Sequence, residues 1–207
     1  AQAGVMTGAD LAKLSTTALS ALTTAAFGAI ATSEITSLSS TQMSALQGAQ
    51  VSALTSAQAA VLTSTQTPGL LSSQTSSMET QDLAALTTSA SAALTTGVVS
   101  SLSSTQMGAL TSEQVTALTT AQAAALTATQ AQGITTVQTA ALESGDLNKL
   151  TTSAFEALNT AVVSGLSSTQ VGALTSAQVT ALTTAQAAAL TSVQAQGITT
   201  SQAAGLE

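Results

Sequence analysis

The sequence predicts an all-α solenoid or superhelix of short capped helices, one per eight-residue repeat, running as a single array over residues 1–207. Three observations carry this expectation. From Met6 every eighth residue is Leu, Ile or Met, through Leu14, Leu22, Ile30 and Leu38 to Leu206, 26 positions in one frame. The octad these residues open reads Leu-Thr-x-x-Gln-x-x-Ala, as from Leu118 to Ala125. The eight-residue step also fails to match a whole number of helical turns.

That mismatch is why the helices must be short. A continuous helix advances about 100° per residue, so apolar residues eight apart drift roughly 80° per repeat and wind round the cylinder. A heptad coiled coil fails for the same reason. The phase must be reset in every octad, and Leu174-Thr-Ser-Ala-Gln-Val179 contains the means. Thr175 can cap the first free N–H groups while Gln178 reaches back to the Thr175 N–H, a capping box. Leu174 and Val179 flank it as a hydrophobic staple. Val179 and Leu182, three apart, share a helix face. Of 25 complete octads, 19 hold Ser or Thr second and 19 hold Gln, Asp or Glu fifth, so the device is general. On this reading Thr175→Ala costs about 1 kcal/mol and Gln178→Ala somewhat less.

An isolated octad is not stable. Burying its Leu contributes roughly 2–3 kcal/mol, while each ordered residue costs about 1–2 kcal/mol of backbone entropy. Octads must therefore stack and share a core. Ala or Gly at the eighth position permits close approach between turns, and Pro68 in Thr67-Pro68-Gly69 falls where the chain already turns. The alternative is a β-solenoid with stacked Gln amides. Positions one and six have opposite parity and would face opposite sides of a strand. Ala and Gln are also poor strand formers.

A 64-residue period overlies the octad: Leu38 to Ala45 (LSSTQMSA) returns as Leu102 to Ala109 (LSSTQMGA) and Leu166 to Ala173 (LSSTQVGA). It divides the array into units 6–77, 78–141 and 142–205, with partial octads at both ends. Each unit opens on an acidic octad, marked by Asp10, Asp82 and Asp146 at the capping position, and closes on five Gln octads. Gln2 falls at the Gln position of an incomplete octad, and Leu206-Glu207 opens one like Leu142-Glu143. Both ends are therefore expected to meet further octads, in a second copy or in flanking repeats of a longer chain.

The composition narrows the function. The net charge is −7 and the only cations are Lys13 and Lys149, so a nucleic-acid partner, which needs clustered Lys and Arg, is excluded. An anionic membrane surface is disfavoured likewise. Polar residues interrupt every apolar run well before the 18 or so residues of a membrane span. With 44 % hydrophobic residues in strict spacing, the chain is ordered. His and Cys are absent, which removes the usual general base and the usual zinc ligands. No enzyme, cofactor or metal site is predicted. Glu143 with Asp146 is the nearest approach to a calcium site, and helix-start charge explains the pair better. Lys13 and Lys149 read as local ion-pair partners. Met6, Met43, Met78, Met107, Phe27 and Phe155 read as core.

The Leu-Thr-x-x-Gln-x-x-Ala octads resemble, along the whole chain, very long secreted bacterial repeat proteins labelled adhesin-like or haem-utilisation proteins. The resemblance implies a cell-surface or matrix location and a scaffolding role, in a filament, matrix fibre or adhesin stalk. The haem label has no support in these residues, since His, Cys and Tyr are all missing. The alternative is an adhesion module whose Ser/Thr/Gln face holds a surface polysaccharide or a protein.

Overall fold

The computed structural model describes residues 6–204; Gln2 and Leu206-Glu207, singled out above, lie outside them. Among the described residues there are 23 short α-helices and two 3-10 turns, Thr67–Gly69 and Thr139–Ala141, and no strand. Each complete octad contains one of these elements, and each α-helix opens at the third position of its octad, as in Thr16–Ser20, Ser40–Ser44 and Ser176–Thr180. The fold is a solenoid-like array of short helices, and the β-solenoid alternative falls.

The phase reset is visible in the backbone. Thr175 is extended, with φ −73° and ψ 156°, and its hydroxyl accepts from the Gln178 N–H. The helix Ser176–Thr180 then runs to Ala181, with φ −79° and ψ −2°. The Leu182 N–H closes it on the Val179 carbonyl at 3.3 Å. No described residue has a positive φ, so these helices end without the left-handed glycine common at C-caps. The extended cap of the following octad ends each one instead. Where the fifth residue is Ala, as at Ala18 and Ala90, the Ser15 or Thr87 hydroxyl caps alone.

Positions one, five and six face inward. Leu174 is 6 % exposed, Gln178 1 % and Val179 1 %. Phe27, Phe155, Met43 and Met107 are fully buried and Met78 nearly so, while Met6 is half-buried. Leu174→Ala should therefore cost about 2–5 kcal/mol, against about 1 kcal/mol for Thr175→Ala. Urea denaturation of the two variants checks this order.

The chain forms two compact units, Ala1–Leu102 and Ser103–Glu207. Within each, the path returns on itself after roughly three octads. In the first, Ser56–Ala60 packs on Thr80–Ala85; in the second, Ser104–Ala109 packs on Ala128–Gly133. Glycine at the eighth position permits the closest approaches. A Cβ on Gly69 would overlap the backbone of Ser40, and one on Gly133 the backbone of Ser104. Gly197 meets Ser168 in the same way. Pro68 sits at the start of the 3-10 turn Thr67–Gly69, where its missing N–H is harmless. No described helix is long and apolar enough to cross a membrane.

Candidate functional site

The feature repeated most faithfully is a buried glutamine that holds two turns of the coil together. Gln178 accepts from the Thr175 N–H through Oε1 at 2.9 Å, completing the capping box at its own helix start. Its Nε2 donates to the carbonyls of Leu147, at 2.7 Å, and Leu150, at 2.8 Å, which lie 31 and 28 residues earlier. Gln42 bonds Leu11 and Leu14 in the same register, Gln66 bonds Ile35 and Leu38, and Gln194 bonds Val163 and Leu166.

The register explains the geometry. A return of 28 residues is three and a half octads, so the helix start before each of these glutamines lies over a junction between two octads of the turn beneath. The amide meets the carbonyl of the Leu that opens one octad and, as a second donor, a carbonyl in the last turn of the helix before it, which already accepts the N–H of that Leu. Each such glutamine thus ties one helix start to one helix end in a different turn. The capping box alone accounts for Oε1 but not for Nε2. One signal in the sequence pointed to the difference: 15 octads carry Gln at the fifth position and only one, at Glu34, carries Glu. Glu caps as well as Gln but has no N–H to donate.

The acidic octads depart from expectation. Asp10 closes a capping box with Thr7; Asp82 and Asp146 do not, and their helix starts at Glu79 and Glu143 have no side-chain cap. Asp82 instead accepts from the Ser56 hydroxyl, one turn earlier, at 2.8 Å. The pairing expected of Lys13 reduces to a Coulombic influence on Asp10, smaller than the hydrogen bonds from Thr7 that hold its carboxyl below the usual range. Glu143 and Asp146 do come together. Burial, and then the Glu143 charge, push Asp146 above the ordinary carboxylate range. Among the described residues no group of three or more potential metal ligands forms.

The raised Asp146 has a testable consequence. Its native state holds the proton more tightly than the unfolded chain, so its contribution to stability is fully present below the ordinary pKa of 3.8 and is lost as pH rises through the raised native value. Asp10 has the opposite sign, contributing above 3.8 and losing it as pH falls through its lowered value. Asp146→Asn should therefore gain on the parent chain as pH rises above 3.8. Denaturation midpoints on both sides of that value check it.

Residues 76–112, 92–120, 139–176 and 155–184 match the model of the ALTTAQ repeat. The chain is a repeat protein. The six letters of that description occur unaltered at Ala117 to Gln122 and Ala181 to Gln186, spanning the cap and the glutamine of two octads. No curated protein matches the chain.

Proposed function

We propose that this is a non-enzymatic structural protein whose octads form or extend an extracellular filament, matrix fibre or adhesin stalk by end-to-end stacking. One observation carries the reading. Leu182, Leu190 and Ile198, whose counterparts at Leu158, Leu166 and Leu174 are buried, are only half-buried. A face of that chemistry accepts another turn of octads.

A second copy of the chain, or flanking repeats of a longer one, fits it. The first turn of the copy presents Asp10, Ala18 and Ala26 at the fifth position, as Asp82, Ala90, Val98 and Asp146, Ala154, Val162 do inside the chain. Turns of this kind already pack on glutamine-bearing octads, Thr80–Ala85 on Ser56–Ala60 and Ser144–Leu147 on Thr120–Ala124. Sedimentation at rising concentration, followed by electron microscopy, tests the reading. Growing linear species are expected, and a monomer that persists at high concentration overturns it. The extracellular setting rests on the resemblance to secreted octad-repeat proteins, and antibody labelling of intact source cells tests that part separately.

A further inference from the structure

We infer that the acidic octads and the two octads after each are yielding seams, at which neighbouring turns part before glutamine-held turns do. Three independent observations meet there. The first is chemical. At residues 82, 90 and 98, and again at 146, 154 and 162, the fifth position holds Asp, Ala and Val. None of these side chains can donate to the turn beneath. Three octads cover most of the 28-residue return, so nearly a whole turn lacks the amide link.

The second observation is polar. Asp82 Oδ2 and Asn148 Oδ1 are the buried side-chain oxygens identified without a hydrogen-bond partner among the described residues. Both belong to acidic octads, 78–85 and 142–149. Buried polar atoms are nearly always paired, and an unpaired one weakens the packing round it. The third observation is steric. An apolar cavity of about 10 Å³, at the lower limit for one water, lies among Val115, Leu118, Leu126, Leu142 and Leu147, beside Asp146. In the register of Gln178, a glutamine at 146 would reach the carbonyls of Val115 and Leu118, two residues lining that cavity. The space lies where the missing amide would be.

Within each unit the three octads without the amide keep only scattered bonds to the turn beneath, such as Ser56 to Asp82, Thr67 to the Ala90 carbonyl and Asn159 to the Gln132 carbonyl, so a pulled or thermally agitated turn opens there before a glutamine-held one. This property belongs to the single chain and does not depend on whether copies join.

Thiol labelling of the full chain in native buffer tests it, since the chain has no Cys of its own. Ala154→Cys places a thiol at a fully buried seam position, and Thr139→Cys places one at a buried position whose carbonyl accepts from Gln170. The seam thiol should react about tenfold faster, the factor that one lost hydrogen bond supplies. Adding Asp146→Gln to the Ala154→Cys chain should slow its labelling toward the control rate. Ala90→Cys with and without Asp82→Gln repeats the test in the first unit and covers a variant that fails to fold. Equal rates at Ala154→Cys and Thr139→Cys, or seam labelling that neither glutamine slows, overturns the inference.

Discussion

Gln178→Glu is expected to destabilise the chain by about 3 kcal/mol or more, several times the loss from removing the neighbouring hydroxyl cap in Thr175→Ala. The glutamate keeps the Oε1 bond to the Thr175 N–H, so the capping box survives. It loses both Nε2 bonds, to Leu147 and Leu150, at a side chain only 1 % exposed. It also sets carboxylate oxygens against two carbonyl oxygens in a site with little water, where an unpaired charge is far more costly than in solvent. Gln178→Ala lies close behind, because it strands the Thr175 N–H and removes the same two bonds. The ranking from the capping box alone, with Gln178→Ala milder than Thr175→Ala, is thereby reversed. Urea denaturation of the three variants decides it. A Gln178→Glu chain as stable as Thr175→Ala would show that the inter-turn bonds contribute nothing.

Gly133→Ala is the second large effect, with a loss of about 3 kcal/mol expected from forced separation of two turns. Its Cβ would meet the O, C and Cα of Ser104, backbone atoms of a packed helix that cannot rotate away as a side-chain end does. The reason is proximity, since no described glycine adopts a positive φ. Gly145→Ala supplies the contrast. A Cβ there meets nothing within 4 Å, in the helix Ser144–Leu147, so the change should be neutral or stabilise by up to about 1 kcal/mol through helix propensity. Thermal melts of the two variants should move in different directions. Matching losses would place the cost in the glycine backbone and not in the contact between turns.

Much of this architecture was legible because its causes are local. The Leu-Thr-x-x-Gln string encodes a helix start within six residues, and the eight-residue spacing forbids a continuous helix by angle alone. Hence helix type, the opening of each α-helix at the third position, and the inward-facing first and sixth residues all follow from residues close in the chain. The burial of Phe27, Phe155, Met43 and Met107 belongs to the same class. Asp82 and Asp146 were misread as caps because the capping pattern cannot tell whether a carboxyl turns to its own helix start or to a partner 26 residues away, as Asp82 turns to Ser56.

The sequence by itself determined the unit of construction: one short helix per octad, the residues that start it, and the need for octads to stack. The tertiary structure alone decided how far apart in the chain stacked partners lie. A return of 28 residues is not a multiple of eight, and that half-octad offset sets helix starts such as that of Ser176–Thr180 over a junction in the turn beneath. Nothing within an octad specifies the offset, because it arises from the rotation each octad adds when its apolar face packs against its neighbours. Only once the turns are in place does the free end of each glutamine amide meet two carbonyls, and only then does Gln at the fifth position, where Glu would cap as well, have a physical reason.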